Sequence, residues 1–494
     1  MSQSNKIINN SIALMGGHVY QSAIGLITIG LIARYLKPEK FGDYGFIMAL
    51  CVIFSIITDM GINRISVREM SRNLSRANDI LVASFLVKLL LSLITFAATA
   101  LIINMLSDDK EVIIATYICV IAVTLFFIGD IFDCIFKAFE KMGYTALSAF
   151  VERTTYLLCL GVFIRMDFGL KGIFSALLFS YVTRFAFGLS ITCKRFFRPR
   201  VTRDFSLCFY LLKEGFPIGI NRILRKTSFR FDTILIKLMK SATQVGFFHG
   251  AYRIILALEF IPASITGAMF PMFSRLAKGS AGSIEKALEK SFKFLWIIAV
   301  PLMIFIIFFS KRIVSLVLGK SFIEVAPALQ VFSLVFGLML LSGLFIKVLN
   351  AFDKQVLAAK AVAVCLAINV GLDIILIKFF GYFGAVIATL VAEASLCVIA
   401  YRFVSRHVGL LPFSRVMPKP LLCGLPMAIA CHLLTSINIV VVTIIGLAVY
   451  LCGLFILEVF EKDEIEGVKK SLQKMRESFG YHVLRDSILK SKKE

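Results

Sequence analysis

The chain has 494 residues, of which 59% are hydrophobic and 17% charged, with a formal net charge of +23. A soluble globular chain carries roughly a quarter charged residues, so this apolar excess excludes burial in one soluble core and requires the bilayer as a second apolar phase. A charge of this sign would suggest nucleic acid in a soluble protein. Here the basic clusters sit between apolar spans, as in the loops of membrane proteins, and nucleic acid is not an expected partner.

In lipid every backbone N–H and C=O must be paired internally, which leaves helices or closed barrels. The apolar runs are long and continuous, as in Leu86–Met105 and Ile437–Phe460, without the alternating strands of a barrel. The expected fold class is all-α, a polytopic membrane protein. In chain order, spans fall near 12–33, 43–63, 80–104, 112–135, 145–164, 171–191, 213–238, 245–271, 291–310, 325–347, 357–377, 383–402, 418–436 and 439–460. That is about fourteen transmembrane helices, each needing roughly 20 residues. No cleavable signal peptide is evident before the first span.

Alternate loops carry the positive charge: Arg64, Arg68, Arg72 and Arg76; then Lys194, Arg195, Arg198, Arg200 and Arg203; then Arg275, Lys278 and Lys286; then Arg402, Arg406, Arg415 and Lys419. The intervening loops are short and poor in cations, as at Ser107–Glu111 and Ser436–Asn438. The charge bias predicts both termini on the cytoplasmic side. Beyond Glu461, Ile465, Val468, Leu472, Met475 and Phe479 recur at helical spacing. Such a tail lies on the anionic inner leaflet or stands solvated beside it, and both readings are open.

The chain repeats itself. Phe41–Gly42 pairs with Val245–Gly246, and Ser71–Arg72 with Ser274–Arg275. Ala138–Lys141 pairs with Ala351–Lys354, and Phe168–Gly169 with Phe380–Gly381. Four pairs in one order predict two pseudo-symmetric six-helix lobes of parallel topology, with a substrate path between them. The expected division is 1–200 and 201–410 for the lobes, 411–460 for two additional helices, and 461–494 for a cytoplasmic amphipathic tail.

Ionisable side chains inside spans are costly and normally face a cavity or a partner. The seventh span holds Asn221, Arg222, Arg225, Lys226, Arg230 and Asp232. At 100° per residue Arg222, Lys226 and Thr233 fall close together, flanked by Arg225 and Arg230. They form either a cationic stripe near mid-membrane or, if the helix starts later, an interfacial cluster. His249 and Arg253 lie one turn apart on the eighth span, with Glu259 beyond; His18 and Gln21 lie on the first, Asp59 and Asn63 on the second. A cavity at the junction of these spans would be cationic, and arginine forks suit phosphate oxygens. The candidate substrate-binding residues are therefore Arg222, Arg225, Lys226, Arg230, Arg253, His249, His18, Gln21 and Asn63. The candidates for a coupling H⁺ or Na⁺ are Asp59, Asp232, Glu259, Asp373 and Glu393. Asp130, Asp133, Glu152, Arg153 and Arg184 read as structural pairs. The eleven cysteines hold no CxxC, and no HExxH or P-loop is present. No cofactor, metal or catalytic residue is expected, and the driving force is expected from a gradient or membrane potential.

Phe231–Ile236, Val245–Phe248, Ala251–Arg253, Pro262, Phe270–Pro271 and Ser274–Arg275 resemble the polysaccharide-biosynthesis flippases, the Wzx-type lipid-linked oligosaccharide translocases. Ile32–Leu36, Phe41–Gly45 and Asp59–Gly61 resemble them too. The resemblance implies the multidrug/oligosaccharidyl-lipid/polysaccharide exporter superfamily: two lobes in a V, alternating access, and often two extra helices. It implies a polyprenyl-pyrophosphate-linked glycan as substrate, flipped to the outer leaflet of the bacterial inner membrane. Membrane lipids and other polysaccharide-assembly proteins are candidate partners. The alternatives are a lipid II-type flippase or a drug/cation antiporter of the same superfamily, and, from another class, a membrane glycosyltransferase or polymerase.

Overall fold

The computed structural model describes residues 3–200, 205–258, 260–276, 281–409, 413–434 and 437–460. Side chains are described from Tyr20 onward, apart from 217–218, 220–229, 260, 262–264, 267–268, 270–271, 281–283 and 414–415. The expected tail, 461–494, lies outside the described residues. Among the described residues there is no strand. The first half of the chain folds as α1 (Gln3–Asp59), α2 (Ile62–Arg72), α3 (Ala77–Leu106), α4 (Lys110–Ala138), α5 (Met142–Arg165) and α6 (Gly169–Arg195). The second half folds as α7 (Phe205–Met239), α8 (Ala242–Leu256), α9 (Phe260–Leu276), α10 (Ala281–Val317), α11 (Ala326–Ala351), α12 (Gln355–Phe380) and α13 (Tyr382–Val408). Short α14 (Phe413–Val416) leads to α15 (Pro418–Leu433) and α16 (Ile439–Ile456), which pack on each other and on α10.

Ten helical stretches among the described residues are long and apolar enough to cross a membrane. One of them, Tyr20–Arg72, has 53 residues. At about 1.5 Å per residue it is more than twice the ~30 Å hydrocarbon thickness. It breaks at Lys37, whose φ is 59°, directly before Pro38. Proline disfavours helical geometry at the residue before it and supplies no N–H to continue the ladder. The two arms of α1 therefore change direction there. The ten differ from the expected fourteen partly because α8, α9 and α15 hold only 15, 17 and 16 residues.

The repeat read from the sequence is visible in the backbone. Glu140 and Asp353, third in their respective motifs, both turn the chain at φ 57°. Gly169 and Gly381 both do so near φ 60°. On α4, Cys119, Val123, Phe127, Ile131 and Ile135 form a buried stripe; on α11, Phe332, Phe336, Leu340, Leu344 and Val348 form its counterpart. A spacing of four puts each stripe on one helix face. In the first half α4 packs on α6, α3 and α1; in the second, α11 packs on α13, α10 and α9. Packing of this kind is held by van der Waals fit, since lipid tails are as apolar as the side chains.

The two halves meet most closely along α1 and α8. A Cβ added at Gly42 would lie 1.7 Å from the Ala242 carbonyl oxygen, and one at Gly246 2.0 Å from that of Pro38. Only glycine permits backbones this near. Contact between residues that are equivalent in the repeat is what a two-fold relation about the bundle axis produces. Asp43 and Lys237 form an ion pair at 2.5 Å across the same seam, and the Arg34 guanidinium donates to the Leu316 carbonyl. The end of the bundle carrying the 107–109 turn is thereby shut. Overpacking costs about 1–3 kcal/mol, so Gly246→Val should raise the population parted at this end roughly 5- to 100-fold. A cysteine at the buried Phe41, with the native cysteines replaced, should then react correspondingly faster with a hydrophilic thiol reagent. Unchanged reactivity would show that this contact does not hold the end shut.

Candidate functional site

Below the seam, a cavity of about 420 Å³ opens between α1, α5 and α8. Arg153 reaches it from α5 and Arg253 from α8, one from each half, and among the described residues no carboxylate lines it. The local fold sets both side chains. Arg253 Nε lies 3.1 Å from Nε2 of His249, one turn earlier on α8, with the ring nitrogen as acceptor. His249 is itself held edge-on against Phe41 and Tyr44, at ring distances of 5.5 and 6.0 Å. Arg153 lies 3.6 Å from Glu152 Oε1, and its Nε is buried without a hydrogen-bond partner among the described residues. Arg230 on α7 lies within Coulombic reach of Arg253 and Tyr252. Guanidinium groups brought together in a low-dielectric cavity, with no carboxylate on its walls, call for an anion.

A second cavity, about 230 Å³, adjoins the first: Gln21 and Arg153 line both. Its centre is Arg184 of α6. One guanidinium nitrogen of Arg184 donates to Glu152 at 2.6 Å; another donates to Asp130 at 2.6 Å and Asp133 at 2.5 Å. The guanidinium lies 4.4 Å from the Phe126 ring centre.

Asp59 and Asn63 are drawn elsewhere. Lys88, fully buried on α3, donates to Asn63 Oδ1 and to the Phe127 carbonyl, both at 2.6 Å, and lies 3.5 Å from Asp59. Inside a helix bundle an ammonium needs such a set of oxygens. Neither Asp59 nor Asn63 is among the residues lining the two cavities.

The second half carries a buried acidic cluster. Asp232 of α7 and Asp373 of α12 bring their carboxyl groups within hydrogen-bonding reach of each other. Thr389 of α13 donates to Asp232 Oδ2 at 3.3 Å. Asp232 Oδ1, both Asp373 oxygens and Asn369 Nδ2 are buried without a hydrogen-bond partner among the described residues. Two ionised carboxylates are acceptors only, so this pair needs a proton or a cation between them. Glu393, one turn beyond Thr389, is separately bound by the Ser342 hydroxyl.

Of the residues singled out from sequence, Gln21 and Arg253 line the first cavity, His249 accepts from Arg253, Arg230 is near enough to Arg253 to feel its charge, and Asp232 meets Asp373. The side chains of His18, Arg222, Arg225 and Lys226, and Glu259 altogether, lie outside the described residues. Sequence reasoning missed Lys88, Asn369 and Thr389. It paired Arg153 with Glu152, and the two lie 3.6 Å apart; that Arg153 also lines both cavities it did not read, although adjacent helical residues point about 100° apart.

The sequence model of the family described as "Polysaccharide biosynthesis protein" matches residues 7–277. A putative O-antigen transporter of Shigella flexneri is 23% identical over 403 residues, 77% of this chain and 94% of that protein. A probable low-salt glycan biosynthesis flippase of Haloferax volcanii is 23% identical over 416 residues, 82% of this chain and 84% of that protein. Among solved structures, the lipid II flippase MurJ in an inward closed conformation matches with a TM-score of 0.73 and 17% identity, covering 90% of this chain and 98% of that one. An inward-facing multidrug resistance MATE transporter matches with a TM-score of 0.60 and 17% identity, covering 81% and 98%. The last two likenesses concern the fold alone. With a family match over more than half its length and that fold, this multi-pass membrane chain belongs to the polysaccharide biosynthesis protein family.

Proposed function

We propose that the chain is a flippase that carries a polyprenyl-pyrophosphate-linked glycan from the cytoplasmic to the outer leaflet by alternating access. The observation that supports this most directly is the 420 Å³ cavity between the halves, with Arg153 and Arg253 on its walls and, among the described residues, no carboxylate. A pyrophosphate is the natural complement to two guanidinium forks. The names of the relatives, O-antigen transporter and glycan biosynthesis flippase, agree with that ligand. A drug/cation antiporter would want a cavity of the opposite sign. With the termini in the cytoplasm of a bacterial inner membrane, the seam at Gly42 and Gly246 faces outward, and the conformation described is shut to the outside.

The Asp232–Asp373 pair is the proposed coupling site, for Na⁺ or H⁺. Its paired carboxylates and the Thr389 hydroxyl are oxygen ligands of the kind a hard monovalent cation takes. Helix α7 carries Asp232 and packs on α1, α2 and α3 as well as on α12. Arg68 of α2 binds Glu214 of α7 at 3.1 Å. Occupancy at Asp232 thus acts on a helix gripped by both halves, which is how a cation bound in one half biases their relative position.

The decisive experiment is complementation. In a strain lacking its own flippase but making the matching lipid-linked glycan, expression should restore surface polysaccharide. Accumulation of the glycan on the inner leaflet despite normal amounts of this protein would reject the reading.

A further inference from the structure

We propose that the cavity around Arg184 is the subsite for the pyrophosphate-proximal sugar of the glycan, and that it selects an uncharged sugar. This rests on the flippase reading above. The first reason is position. The cavity shares Gln21 and Arg153 with the anion cavity, so a ligand whose pyrophosphate lies between Arg153 and Arg253 has its next covalent unit at this opening. In a lipid-linked glycan that unit is a sugar.

The second reason is charge. Asp130, Asp133 and Glu152 line the cavity together with Lys137, Arg153 and Arg184, three of each sign. Among the described residues, the charged groups of the anion cavity beside it are arginines. A charged sugar gains no net field in the balanced cavity to offset the cost of desolvating its charge. A neutral polyol needs fixed donors and acceptors instead, and both are present.

The third reason is unspent hydrogen-bonding capacity. Arg184 Nε, Arg153 Nε and Thr145 Oγ1 are buried without partners among the described residues. The Arg184 side chain is 9% exposed, and three carboxylates hold it, so it cannot swing away to find other acceptors. Buried donors of this kind are ordinarily satisfied, and sugar hydroxyls would satisfy them. Two buried nitrogens and a hydroxyl without partners, on three residues that line one cavity, with Arg184 fixed by its carboxylates, are the elements of a specificity site.

The test uses purified full-length protein in proteoliposomes and three short-chain polyprenyl pyrophosphates: sugarless, bearing a neutral hexose, and bearing a uronic acid. Wild type should bind the hexose lipid at least about 10-fold more tightly than the uronic acid lipid. In Thr145→Val and Asp130→Asn, the ratio of hexose-lipid to sugarless-lipid affinity should fall about 10-fold, the loss expected for one buried hydrogen bond. In Arg253→Ala both affinities should fall and their ratio hold. Thr145→Val is nearly isosteric and outside the Arg184 network, so it guards against misfolding in Asp130→Asn. If both variants keep the wild-type ratio, or the uronic acid lipid binds as tightly as the hexose lipid, the subsite assignment is overturned. If wild type binds none of the three, the flippase reading itself fails.

Discussion

Arg153→Ala and Arg253→Ala should each cut polysaccharide export at least about 10-fold, with the protein at its normal abundance in the membrane. Truncating one partner of a buried, hydrogen-bonded charge pair costs about 2–5 kcal/mol, and every 1.4 kcal/mol is about tenfold. The two arginines come from opposite halves, so each loss leaves the ligand anion half-clamped. Arg→Lys at either position should recover part of the export, because the charge stays while the planar fork is lost. His249→Phe should act in the same direction as Arg253→Ala but more weakly, since it removes the group that orients Arg253 and keeps its charge. Lys286→Ala, exposed and remote from the cavity, is the matched control and should export normally. The measurement is surface polysaccharide per unit of membrane protein in the complemented strain. Normal export from both alanine variants would remove the anion cavity from the mechanism.

Asp373→Asn should abolish cation-coupled transport while leaving the protein as stable as wild type, or more so, in cation-free buffer. The amide can donate to Asp232, so the variant satisfies without any cation a pair that wild type satisfies only with one. Asp232→Asn should behave likewise. The readout is the melting temperature of detergent-purified protein in NaCl against choline chloride, repeated across pH. A cation that binds only the folded state at 100 times its Kd stabilises it by about 2.7 kcal/mol, worth about 2–5 °C. A wild-type rise in NaCl that both variants lose identifies Na⁺. A pH-dependent rise, equal in both salts and lost in both variants, identifies a proton. Wild type and variants with one common melting temperature under every condition would reject a coupling role for this pair.

Several of these groups were legible one at a time. Asp232 and Asp373 stood out because a charge in an apolar span must face something. Arg253 stood out for the same reason, and the expected positive sign of the cavity followed from it and from the cations of the seventh span. Thr389 and Asn369 could not stand out, since one hydroxyl and one amide in a long membrane helix cost little and occur everywhere. Thr389 matters because α13 packs it against Asp232, and Asn369 because it lies one turn before Asp373 on α12. Lys88 was hidden in another way: its cost is met by oxygens from α2 and α4, invisible until those helices are packed.

The sequence by itself determined the apolar phase, the helical class and the internal repeat. Each of these follows from local quantities: hydropathy along one span, backbone hydrogen bonding within one helix, and turn residues recurring at one offset. The left-handed turns at Glu140 and Asp353, and the buried stripes on α4 and α11, are that repeat made physical. Only the tertiary structure decided which charges neutralise each other and which are left for a ligand. Arg184 is consumed by three carboxylates and Asp59 by Lys88, whereas Arg153 and Arg253 face a cavity and Asp232 and Asp373 keep carboxylate oxygens without hydrogen-bond partners among the described residues. Charges in a low-dielectric interior interact strongly only over a few ångströms, and those distances are set by how helices from different parts of the chain cross.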